Sequence, residues 1–164
     1  MTLNDHFALL ERYNRWFNGQ ILQACAELSD TQRKQDQGAY FGSIHGTLNH
    51  ILLADQLWLG RFTQTPVQFP GLDAQLHADF DELVADRQAT DLRIHQLVRS
   101  EILQQPQLAF TDSFGVDRTI PMHQALGHLF NHATHHRGQI TTLLFQQGVD
   151  VGITDLARMP ADFV

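Results

Sequence analysis

The chain has 164 residues, of which 43% are hydrophobic and 18% charged. This suits one packed domain spanning 1–164 and argues against a disordered tail. The formal net charge is -7, with Lys and Arg scattered rather than clustered. That argues against a nucleic-acid surface. No apolar run approaches the ~20 residues of a membrane span. The start, MTLNDHFALLERYNRW, is charged and amphipathic without the apolar core of a signal peptide. The single cysteine, Cys25, allows no intrachain disulfide, and a reducing cytoplasm is the expected compartment. Ten histidines stand out, five of them between residues 123 and 136.

Apolar residues at Leu3, Phe7, Leu10, Phe17, Ile21, Ala24 and Leu28 follow steps of three and four, a helical seam interrupted by Asn14. Ser29-Asp30 breaks it, and the polar stretch to Gly42 reads as a loop. Ser43 caps a second helix to about Phe62, apolar on nearly every side and so expected to be deeply buried. Gln64 to Gly71, with two prolines, is a connection. A third helix with a weaker stripe is expected from about Asp73 to Leu103. Leu108–Ser113 and Val116–Ile120 flank Phe114-Gly115 and predict a β-hairpin. Pro121 then opens a fourth helix that runs to about Gln147, where Gly148 stops it. The tail, Val149 to Val164, reads as irregular chain. The class is all-α: a four-helix bundle with a small β-hairpin before the last helix.

The last helix carries His128, His132, His135 and His136. Spacing of four puts His132 and His136, or His128 and His132, on one face. With about 100° per residue, and the apolar stripe centred on Met122 and Ile140, His136 falls about 40° from the core direction and His132 about 80°. His128 and His135 fall about 120° and 140° away, toward the outside. The pair His132/His136 is therefore favoured for a site in the bundle interior. His128 is either a surface residue or lines a cleft, and His135 reads as solvated.

His50 sits mid-way along the apolar second helix. Such a histidine is either hydrogen-bonded in the core or a ligand, and the pair on the last helix favours the ligand. Gly46 and Ala54, one turn either side, are read as leaving room for an ion. His50, His132 and His136 thus predict a three-imidazole site for one divalent metal ion. Three protein ligands leave coordination open, as in catalytic sites. Zinc or nickel leads, with iron, cobalt or manganese compatible.

Around it, Asn14 either sets helix register or lines the cleft. Tyr13 and Trp16 read as core aromatics and Cys25 as a packed thiol. Asp55 lies about 140° from His50 and is a poor ligand, better suited to pairing an arginine. Arg61 and Arg137 either bind an anionic substrate or form surface ion pairs. No general acid or base is identifiable.

Three blocks together resemble the DinB/YfiT-like family of metal-binding proteins. They are Tyr13-Asn14-Arg15-Trp16-Phe17-Asn18, then Gly42 to His50 with Ala54 to Arg61, and Asn131 to Gln139. The resemblance implies a bundle, commonly a homodimer, with a metal on three histidines that map onto His50, His132 and His136. Some relatives are thiol-dependent enzymes that use bacillithiol or mycothiol, as S-transferases or a maleylpyruvate isomerase. The expected function is a metal-dependent enzyme of thiol S-transferase or hydrolase type acting on a small molecule, with a low-molecular-weight thiol as a candidate cofactor. The alternative is a non-catalytic metal-binding or stress-response protein.

Overall fold

The computed structural model describes residues 2–65 and 67–163. Outside these lie Met1, Pro66 in the expected connection, and Val164 at the end of the expected irregular tail. Helix α1 (Leu3–Ala26) starts where Thr2 and Asp5 exchange side-chain and backbone bonds in a capping box. The stretch expected to be loop after Ser29 contains a short helix, α2 (Asp30–Lys34). Ser29 and Gln32 form a second capping box there, a signal hidden among polar residues. Helix α3 (Ile44–Phe62) is capped by Ser43 as expected.

Helix α4 (Phe80–Arg99) is shorter than the expected 73–103 at both ends. Asp79 accepts the backbone N–H groups of Asp81 and Glu82, so the cap lies seven residues into the polar run. At the other end Ser100 turns extended and its hydroxyl caps a separate 3-10 turn, Glu101–Gln104. Strands β1 (Gln107–Thr111) and β2 (Asp117–Pro121) pair antiparallel with Leu108 opposite Ile120. Gly115 takes a φ of +77 at the turn. Helix α5 (Met122–Gln146) follows directly, and Gly148 at φ +80 ends it. The tail holds two short 3-10 turns rather than wholly irregular chain. Tyr13 ties it down by donating to the Thr154 carbonyl at 2.8 Å.

Helices α1 and α3 each pack against both α4 and α5, which makes a four-cornered bundle. One apolar cluster gathers Phe17, Ile21, Leu52 and Leu144, and a second gathers Phe7, Leu59, Leu126 and Phe130. All residues from Ile44 to Asp55 except Gly46 are buried, as the all-round apolar pattern of α3 requires. No described helix is long and apolar enough to cross a membrane.

Charge also runs through this core. Arg87 of α4 donates to Asp55 of α3 at 2.6 Å and ion-pairs with Asp91 at 2.9 Å. Asn18 of α1 donates to Asp91 at 2.9 Å and accepts from Arg137 of α5 at 3.0 Å. Arg137 also donates to Asn14 and to Thr134. It is 1% exposed, so the surface-ion-pair reading of this residue is overturned. Burial brings Arg137 down to about 10, which leaves it charged at neutral pH. Asn14 therefore joins helices, in line with its register role, and Asp55 pairs with an arginine as anticipated.

Removing one member of a buried ion pair strands the others. Arg87→Met leaves Asp55 and Asp91 without their cation and should lower stability by about 3–5 kcal/mol, read as a shift in the urea midpoint. An unchanged midpoint would show that the network holds nothing together. Cys25 is fully buried, and burial pushes its thiol up to about 12. The folded protein should be inert to Ellman's reagent at pH 8 and react only on unfolding. Its raised pKa means that the unfolded chain ionises first, so stability falls as pH rises from about 9 toward 12.

Candidate metal centre

Helices α3 and α5 lie side by side, and their facing turns bring three imidazoles together. His132 Nε2 is 3.2 Å from His50 Nε2 and 3.2 Å from His136 Nε2. One nitrogen from each of the three lies within 4.8 Å of the others. Three nitrogens held tetrahedrally at the usual zinc–nitrogen length stand about 3.3 Å apart.

The outer contacts decide what those nitrogens can do. His50 Nδ1 is 2.8 Å from the Leu72 carbonyl, which only accepts, so Nδ1 carries the hydrogen and the Nε2 lone pair points inward. His136 Nδ1 stands 2.8 Å from Gln139 Oε1, with the same consequence. Two lone pairs therefore converge on His132, whose single Nε2 position can donate to at most one of them. A cation relieves this convergence, and the donor set fits a divalent first-row metal. His132 Nδ1 is buried without a hydrogen-bond partner among the described residues. Its ring is held by its neighbours, 5.6 Å from His128 and 4.4 Å from His136 between centroids.

Burial holds all three imidazoles below the ordinary histidine range. His132 falls furthest, to about 3, through burial and then the charges that His136 and His50 would carry. At neutral pH all three are uncharged, the form that binds metal.

Local structure explains how the surroundings reach the site. Asn49 of α3 accepts from His77 N at 2.9 Å and donates to the His77 carbonyl, which also accepts from His45 at 2.8 Å. This fastens the connection before α4 onto α3 and brings the Leu72 carbonyl over His50. On the other side the loop before α3 lays Phe41 on the His50 ring, centroids 3.8 Å apart and planes at 18°. Gly46 makes that possible, because a Cβ there would sit 2.2 Å from the Phe41 carbonyl oxygen. Gly46 also borders the cavity beside the histidines, while the Phe41 backbone occupies the space that its missing Cβ leaves.

His50 and His136 form part of the wall of a cavity of about 850 Å³, with Tyr40, Phe41, Leu72, Asp73, His135 and Gln139 around them. His128 stays outside the group of three, its ring 4.8 Å from Trp58 and 5.6 Å from His132. His135 is exposed, as read from its phase, yet lines this cavity. Trp16 is a core residue and Tyr13 packs on the same cluster. Arg61 lies elsewhere, between Trp58 and Phe110. Sequence reasoning did not single out Leu72, Phe41 or Gln139. Only Gln139 leaves a trace, three residues after His136 on the same helix face.

A helical bundle whose facing helices converge three neutral histidines on one point defines a candidate metal-binding protein. The sequence model of the DinB family matches residues 2–161. The chain is also 30% identical over 160 residues to Protein DinB of Bacillus subtilis (strain 168), covering 93% of this chain and 92% of that one. No solved structure matches. The chain belongs to the DinB family, and its three-histidine group fits a metal-binding protein of that family.

Outer partners of metal-binding histidines are worth about 10–100-fold in metal affinity. Gln139→Leu removes the partner of His136 Nδ1 without touching the core, and zinc affinity should fall by that factor in competition with a chromogenic chelator. Wild-type affinity in this variant would show that the Gln139 contact does not orient the ring.

Proposed function

We propose that the chain is a metal-dependent enzyme that activates a small nucleophile, a thiol or water, against an electrophilic small molecule. The observation that carries this reading is that two of the three grouped imidazoles, His50 and His136, lie on the wall of an open cavity, each with its Nε2 3.2 Å from that of His132. His50, His132 and His136 would hold the ion, with zinc or nickel first among the metals that suit three imidazoles. When bound, a divalent ion supplies Lewis acidity, which makes water or a thiol nucleophilic at neutral pH.

The chain's own residues do the rest. Leu72 and Gln139 keep the protons of His50 and His136 on Nδ1, away from the reacting side. Phe41 covers one face of His50 and excludes water from it. Asp73 and His135 place proton-accepting groups on the cavity wall. Gln139 Nε2 stands 3.3 Å from His135 Nε2 and donates to it, which leaves the hydrogen of that ring on Nδ1.

Metal-loaded protein assayed with a panel of thiols and electrophiles should turn over at least one pair. His132→Ala should lose the metal, by elemental analysis of untagged protein, and at least about 100-fold of that activity. If both proteins perform alike across the panel while only wild type carries metal, the site binds without catalysing. If wild type carries none, the metal assignment itself fails.

A further inference from the structure

The face of α3 that carries His50 also carries Arg61. Eleven residues separate them, which amounts to about 20° of rotation and about 16 Å of rise. The Arg61 guanidinium lies 4.6 Å from the Trp58 ring centroid and 4.6 Å from that of Phe110, clamped between α3 and the hairpin. Its Nε is buried without a hydrogen-bond partner, and no carboxylate pairs with it among the described residues.

The acidic groups nearby are already engaged. Asp112 takes Arg118 at 2.9 Å and the backbone N–H groups of Phe114 and Val116. Asp117 accepts the Thr111 hydroxyl at 2.8 Å. A half-buried guanidinium fixed by two rings and left without its counter-ion presents a planar fork of donors, and the matching ligand is a planar oxyanion.

Arg61 lines a cleft of about 530 Å³ between the connection after α3 and the hairpin turn. Leu57, Phe69, Leu72 and Phe114 give that cleft an apolar side, and Asp112, already engaged by Arg118, stands on its wall with Thr111 and Ser113. Leu72 belongs to its wall and to the wall of the cavity at the histidines. The two spaces therefore share one residue, Leu72, with Arg61 on the wall of one and His50 and His136 on the wall of the other.

We propose that Arg61 binds the carboxylate of an elongated small-molecule substrate whose apolar body lies along the Leu57–Leu72 cleft and whose reactive end sits at the three histidines. The placement of the reactive end rests on the metal-centre reading above; the carboxylate site does not.

The test uses ω-mercaptoalkanoic acids of increasing chain length, from mercaptopropionate to mercaptoundecanoate, against the matching mercaptoalcohols. Binding to cobalt-loaded protein is followed by the sulfur-to-cobalt charge-transfer band. At one favoured length the acid should bind about tenfold or more tighter than the alcohol, the size expected of a charge-assisted bond in a partly buried site. In Arg61→Gln that preference should vanish while the alcohols bind as before. Equal affinities for acid and alcohol at every length would overturn the proposal, as would a preference that survives in Arg61→Gln.

A second measurement separates the two claims. Metal-free protein is titrated with octanoate and with octanol, following the Arg61 Nε–H resonance by nitrogen-edited NMR. A shift with octanoate alone supports the carboxylate site even if no thiol band forms, and in that case only the metal reading fails. No shift with octanoate overturns the Arg61 assignment whatever the cobalt spectra show.

Discussion

The Arg137 guanidinium, buried between Asn14, Asn18 and Thr134, is the interaction on which the geometry of the site depends. It is the residue after His136, so its anchoring to α1 fixes the rotation of α5 about its own axis. With that rotation set, His132 and His136 face α3 and no other direction. The same network reaches α4 through Asn18 and Asp91, and α3 through Arg87 and Asp55. Apolar packing alone tolerates small rotations, whereas a buried charge with directional partners does not. The network thus joins all four long helices and lies one turn or less from two of the three histidines.

Division of labour follows from where each group sits. The three imidazoles are on helices, which hold them to the tolerance that a shared ion demands. The groups that orient and cover them come partly from loops: the Leu72 carbonyl from one connection and Phe41 from another. Those loops are not loosely attached. Asn49 and His45 staple one to α3, and the missing side chain of Gly46 seats the other. Rigid ligands and adaptable walls are the usual arrangement where function lies on a scaffold's surface.

Much of this was legible in the amino-acid order, and the gaps have physical causes. The helical phases of His132 and His136 place them toward the core, and His50 is conspicuous as a base within an apolar helix. The structure brings these three together and leaves His128 and His135 outside, as their phases indicate. The third helix begins late because a cap at Asp79 is indistinguishable from its acidic neighbours until the backbone is seen. Arg137 is the instructive miss. Its phase, about 60° from Met122 on the side opposite His136, already points inward. Reading it as a surface ion pair gave its charge more weight than its position. The Leu72 contact is illegible for a different reason: a backbone carbonyl has no signature in the sequence, and only the fold of a connection without regular structure aims it.

That last contact separates two properties that a side chain would have tied together. The proton on His50 is held by the main chain of residue 72, while residue 72 also borders the two cavities. Replacing Leu72 by a larger, smaller or polar residue reshapes what the cavities admit and leaves the imidazole tautomer as it was. A change of side chain at that position can therefore alter the cavities while the main-chain carbonyl goes on holding the imidazole proton.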